Sequence, residues 1–259
     1  MKNNVLRALI IVIALAAALS SFGVPGAQWK AHSQALTAPV LTGSLSDDKP
    51  VNADTALQWL KAGNQRWQRN EMEPRKWSEE RKETSCGQHP FAVVIACMDS
   101  RVPPELIFDQ GLGALFVIRV AGPVLNSDEL ASLEYALVLK KVKLVLVLGH
   151  TECGAVDGAV AKAQGPYLSG LLDKIEPAIR FVSDKYNHGE RITTADEKNL
   201  MRVSLENARI VHSIIPTFAI PDVKVTWGLY YVDSGRAAIE QQDVNQEPVV
   251  CPKAKALPR

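Results

Sequence analysis

Short apolar runs set the frame of this chain. Phe91–Cys97 (FAVVIAC), Ala114–Ala121 (ALFVIRVA) and Lys143–His150 (KLVLVLGH) are rich in β-branched residues and show no polar alternation, the pattern of strands covered on both faces. Between the second and third, Asp128–Lys141 carries Leu130, Leu133, Ala136 and Leu137 at helical spacing, with Asn126 or Ser127 as cap. Strand, helix, strand in that order predicts a parallel sheet built through crossovers. Upstream, Leu57, Leu60, Asn64 and Trp67 give Ala53–Asn70 a narrow apolar stripe, with Asp54 or Thr55 as cap, and the expectation is a helix docked on its own domain. Downstream the pattern is helical over Ala155–Ala163, Leu168–Lys185 and Thr194–Ile214. A last extended stretch, Val223–Val232, leads through Asp233-Ser234-Gly235 into Arg236–Glu240, which reads as a turn and a hairpin-paired strand. The predicted fold class is α/β: a mostly parallel central sheet, four parallel strands plus an antiparallel fifth, flanked by α-helices.

The N-terminal region has a different character. Lys2 and Arg7 flank a short positive segment, Ala8–Leu19 is an unbroken run of twelve apolar residues, and Ser33-Gln34-Ala35 offers a small-x-small cleavage site. These are the parts of a secretory signal peptide, and such a run falls short of the roughly 20 residues a membrane span requires. The expected organisation is a signal peptide over 1–35, a linker rich in Pro, Gly, Ser, Thr and Asp over 36–52, a catalytic domain over 53–245 and a tail over 246–259. A periplasmic or secreted location follows, with a membrane tether through an uncleaved N-terminal segment as the alternative. No stable membrane insertion is expected after cleavage.

Charge narrows the partners. The 259 residues hold 29 Lys and Arg against 28 Asp and Glu. Cleavage after Ala35 removes Lys2, Arg7 and Lys30 but no acid, leaving 26 basic and 28 acidic residues. A balance of this kind gives no basic footprint for nucleic acid, so no nucleic-acid partner is expected. Four cysteines are too few for a disulfide scaffold in a chain this long but enough for a metal site.

Open parallel sheets bind ligands beyond the carboxyl ends of their strands, and two strand ends here carry metal-type ligands. The first reads Cys97-Met98-Asp99-Ser100-Arg101, the third Gly149-His150-Thr151-Glu152-Cys153-Gly154. Neighbouring strands can set Cys97 against His150 and Cys153. Two thiolates and an imidazole make a three-ligand zinc site with one position left for water, the arrangement of a catalytic centre, and thiolate favours zinc over harder cations. Asp99 is placed to orient a nucleophile. Arg101, a bidentate partner for carboxylates, can hold Asp99 away from the metal. The remaining cysteines, Cys86 and Cys251, are expected to pair if the protein folds in an oxidising compartment.

Cys97-Met98-Asp99-Ser100-Arg101-Val102-Pro103 and Gly149-His150-Thr151-Glu152-Cys153-Gly154 resemble the paired signatures of the β-class carbonic anhydrases. Gly63-Asn64-Gln65-Arg66-Trp67 resembles the family's G-N-x-R-aromatic stretch, Leu115–Gly122 its second strand, and Trp227–Gly235 its late segment ending in Ser-Gly. The resemblance implies zinc-dependent, reversible hydration of carbon dioxide to bicarbonate and a proton, by attack of zinc-bound hydroxide on CO2. It implies one zinc ion per subunit on Cys97, His150 and Cys153, with Asp99 and Arg101 as the catalytic dyad. It further implies that Gln88 reaches substrate across a dimer interface, that Phe116, Ala121 and Tyr135 line an apolar pocket, and that Gly154 borders the site. A homodimer or dimer of dimers follows from the same likeness. Two alternatives stand beside it: a related zinc hydrolase of carbon disulfide or carbonyl sulfide, and a non-catalytic zinc-binding module, against which the intact Asp99 and Arg101 count. Pro123 departs from the family's usual asparagine, and Val94 stands where a bicarbonate-inhibited subtype has tryptophan.

Overall fold

The three apolar runs form adjacent strands, β1 (Ala92–Ala96), β2 (Leu115–Arg119) and β3 (Leu144–His150), in a sheet of order β2-β1-β3-β4-β5 completed by β4 (Lys224–Tyr230) and β5 (Ala237–Ile239). The first four are parallel and β5 is antiparallel to β4, as the pattern predicts. This computed structural model describes residues 51–218, 220–241 and 244. The expected signal peptide, all but the end of the linker, and Cys251 with its expected pairing to Cys86 lie outside the described residues.

Strand alternation sorts the core into two layers. Val94, Ala96, Leu144, Leu146 and Leu148 face one side, where Leu57, Leu60, Ile107 and Phe108 cover them. Val93, Ile95, Val145 and Val147 face the other, under Leu133, Leu137, Ala208 and Val211. Both central strands are buried along their whole length, which is why they show no polar alternation. Among the described residues no helix is long and apolar enough to cross a membrane.

Helix α1 (Ala53–Arg69) docks on its own domain, as expected, but its cap is Asn52, whose side chain accepts from the Thr55 N–H; Asp54 and Thr55 are already helical. The Gly63-Asn64 pair explains the docking. A Cβ on Gly63 would lie 1.8 Å from the Phe108 carbonyl oxygen. Asn64, buried, then donates to the Ile107 and Gly235 carbonyls and accepts from the Ala237 N–H, joining three distant parts of the chain. Arg66 and Arg75 close on the buried carboxylate of Asp109. Gly63→Ala must push the helix off this seat, and the expected cost is roughly 3 kcal/mol or more, read as a drop in the chemical-denaturation midpoint.

The other helices follow the predicted segments with instructive breaks. Two short helices, α2 (Trp77–Thr84) and α3 (Pro104–Ile107), precede and follow β1. Helix α4 (Ser127–Glu134) is capped by Asn126 in a reciprocal box with Glu129 and continues as a π-helical turn over Tyr135–Leu139. Helix α5 is Gly154–Val160. The predicted helix over Leu168–Lys185 is two, α6 (Leu168–Leu172) and α7 (Glu176–Tyr186), joined by a 3-10 turn, with Pro177 in the first turn of α7. Proline there suits a helix start and cannot sit mid-helix without removing a hydrogen bond. Helix α8 (Glu197–Ile214) packs against β3 and β4.

Candidate metal centre

Sheet register brings the ligands together. Ala96 pairs with Leu148, so Cys97, one residue on, stands level with the Gly149–His150 end of β3. The chain then turns sharply at Glu152, whose φ of +57° lies in the left-handed region, a conformation that costs a non-glycine residue about 1 kcal/mol. That turn returns Cys153 to the same end, at the start of α5. The ligand atoms of Cys97, His150 and Cys153 all lie within 4.8 Å of one another, and all three residues are buried.

The donor chemistry fits a soft divalent cation. His150 Nδ1 lies 2.8 Å from the Thr151 carbonyl oxygen; that oxygen only accepts, so Nδ1 carries the proton and Nε2 presents its lone pair. Nε2 is buried and has no hydrogen-bond partner among the described residues. The two thiols behave as a pair. The Cys153 thiol donates to Cys97 and, with the Gly122 N–H, holds the Cys97 thiol well below its usual range, while the same contact and burial push Cys153 up. Two buried sulfurs thus lie beside an unpartnered imidazole nitrogen, where a cation would satisfy all three.

Asp99 and Arg101 stand beside this cluster. Arg101 grips the carboxylate through its backbone N–H and Nε to Oδ1, at 2.9 and 3.0 Å, and through Nη2 to Oδ2 at 2.8 Å. The guanidinium accordingly holds the Asp99 carboxyl down at about 2. Nη2 also donates to the Glu152 carbonyl at 2.9 Å, so one side chain fastens the loop after β1 to the turn after β3.

Sequence reasoning overlooked Arg119. Its Nε donates to the Cys97 carbonyl at 3.0 Å and its Nη2 to the Asp99 carbonyl, clamping the loop that carries the ligand and the carboxylate. The available signal was a lone charge inside an apolar strand. Ser204, on α8, was overlooked too: its hydroxyl accepts from the His150 N–H at 3.0 Å and donates to the His150 carbonyl at 2.8 Å. Helix and strand can approach this closely because residue 149 is glycine; a Cβ there would lie 2.6 Å from the Ser204 carbonyl oxygen.

The expected substrate residues fall in different places. Gly154 adjoins Cys153, is exposed, and has open space where a side chain would stand. Ala121 follows β2 beside Gly122. Phe116 and Tyr135 meet edge to face at 6.1 Å and line an open groove of about 610 Å³ along β2 that also reaches Arg119 and Val120. Gln88 is exposed and precedes β1, whereas Cys97 follows it. At ~3.3 Å per residue the strand alone separates the two by roughly 17 Å, so a single copy of the chain does not bring Gln88 to the ligands.

Comparison with known proteins matches this fold. The carbonic anhydrase family model matches residues 92–237. Carbonic anhydrase 2 of Mycobacterium tuberculosis is 32% identical over 198 residues, spanning 73% of this chain and 93% of its own. The solved structure of the β-carbonic anhydrase CcaA superposes with a TM-score of 0.56 at 29% identity, over 71% of this chain and 95% of that one. One of two tetrameric β-carbonic anhydrases from Sordaria macrospora shares the fold at a TM-score of 0.55 and 22% identity, over 72% and 93%. The protein belongs to the carbonic anhydrase family. It is an enzyme of the β-class, with an α/β fold and a Cys-His-Cys site able to hold a metal ion.

Proposed function

We propose that the protein hydrates carbon dioxide reversibly to bicarbonate and a proton, with one zinc ion held by Cys97, His150 and Cys153. The observation that carries this reading is the meeting of two buried sulfurs with the orphaned Nε2 of His150. Zinc bound there supplies the Lewis acidity that makes a water molecule nucleophilic near neutral pH. Asp99, its carboxyl held low by Arg101, would accept the O–H of a water held there and orient it. Arg101 engages both carboxylate oxygens and would hold Asp99 back from binding the metal itself. The open space beside Gly154 leaves room for the small reactant.

The groove lined by Phe116 and Tyr135 follows β2, an edge strand that is half-exposed along most of its length. This supports a homodimer, or a dimer of dimers like the tetramers described for the Sordaria enzymes, in which a second copy covers the groove. Gln88 then comes to the site from that copy and its amide stabilises negative charge on the substrate oxygens. The charged, apolar and small-residue segments of the N-terminus support export to the periplasm or beyond.

Stopped-flow measurement of CO2 hydration with a pH indicator, on protein of known zinc content, tests the whole reading. A rate well above buffer that scales with zinc occupancy is expected. Buffer-level rates at full occupancy would overturn it.

A further inference from the structure

Helix α8 reaches the metal centre twice. Ser204 binds both backbone groups of His150, and one turn later Asn207 reaches from the same face to the loop after β2. Its Nδ2 donates to the Gly122 carbonyl at 2.7 Å. Gly122 in turn directs its N–H at the Cys97 sulfur, 3.4 Å away. We infer that Asn207 is a positioning residue that fixes Gly122 so that its N–H points at the Cys97 thiolate.

Three observations carry this. First, the pose at residue 122 is one only glycine takes easily: φ is +69°, and a Cβ would lie 2.7 Å from Ile175 Cδ1. Glycine permits the pose but does not enforce it, since it visits many others at low cost. Second, the next residue is Pro123, where the family's usual residue is an asparagine. Proline brings neither an amide side chain nor an N–H to this turn, so the donor that reaches the Gly122 carbonyl comes from the helix. Third, Asn207 is only 2% exposed, yet its Oδ1 has no hydrogen-bond partner among the described residues. A buried amide with one of its two polar atoms unmet is a poor choice for packing alone, and what it gains in return is the bond to the Gly122 carbonyl. The donating half is the half in use.

An N–H aimed at a metal-bound thiolate withdraws charge from sulfur and holds the side chain in its ligating rotamer, the way outer partners tune and orient ligands at metal sites generally. Asn207 therefore acts on Cys97 through Gly122. It touches neither reactant nor metal.

This inference rests on the zinc reading above, and the test separates the two. Zinc release to a chelator and the visible spectrum of the cobalt-substituted protein are measured for wild type, Asn207→Leu and Asn207→Ser, with thermal melts as the check on folding. The expected results are zinc release faster by about 10-fold or more in both variants, and a shift of the thiolate-to-cobalt band to longer wavelength, because sulfur loses a hydrogen bond. Asn207→Ser keeps a polar side chain that is too short to reach the Gly122 carbonyl, and supplies a second reading if the leucine variant does not fold. A lowered melting temperature with wild-type zinc release and an unmoved cobalt band would assign Asn207 to packing and overturn the inference. A wild-type protein that takes up neither zinc nor cobalt would sink the metal reading itself, and this inference with it.

Discussion

Cys153→Ala is expected to abolish zinc retention and CO2 hydration together. The substitution removes a buried sulfur from a cluster in which three ligand atoms lie within 4.8 Å, leaving one thiol and one imidazole. Loss of a partner outside the ligands costs roughly 10–100-fold in affinity or rate, and loss of a ligand exceeds that. The change is small in volume at a site near the start of α5, so circular dichroism and the thermal melt should show a folded protein. Metal analysis after desalting and the stopped-flow rate are the two readouts. A variant with full zinc and wild-type turnover would remove the cluster from the chemistry altogether.

Arg101→Met is expected to give the opposite combination, with zinc retained and the rate reduced by about 100-fold or more, the scale of a lost proton-handling group. Methionine keeps the bulk of the stem but loses the Nε and Nη2 bonds to Asp99 and the Nη2 bond to the Glu152 carbonyl. The carboxylate is then free to turn toward the metal. Arg101→Lys should recover only part of the rate, since a point charge cannot bind both carboxylate oxygens at once.

The same variant makes a signed pH prediction. In the folded protein Arg101 holds Asp99 at about 2, below the ordinary 3.8. A lowered carboxyl contributes stability that is fully present above the unfolded value and is lost as pH falls through the folded one. The stability deficit of Arg101→Met should therefore be greatest above pH 3.8 and shrink as pH falls toward 2. Denaturation free energies measured across that range check it, and a deficit that does not vary with pH would detach Arg101 from the Asp99 carboxylate.

The sheet was legible in the sequence because burial on both faces leaves a chemical trace: runs such as FAVVIAC and KLVLVLGH contain only residues that tolerate it. Helix α2 was not legible. It buries no residue, so no apolar stripe marks it. Helix α3 is too short to show a period, and the break between α6 and α7 was written in Pro177 but outweighed by the apolar spacing on either side. The ligands were legible because cysteine and histidine at strand ends are uncommon and chemically pointed. Arg119, Ser204 and Asn207 were not, because each acts on backbone groups. A hydrogen bond to a carbonyl or N–H demands no complementary residue type at the other end, so nothing in the sequence of the partner segment announces it.

The two margins of the sheet differ in a way that limits how copies can join. On one side β2 offers five residues of half-exposed backbone; on the other β5 is three residues long and runs against its neighbour. A short strand makes a poor template for another chain. In the homodimer proposed above, a sheet extended through β2 would pair like with like about a two-fold axis and use the longer of the two margins among the described residues. Such a pairing would close on itself, and among the described residues the short β5 offers little from which the open-ended stacking of a sheet with two long, bare margins could start.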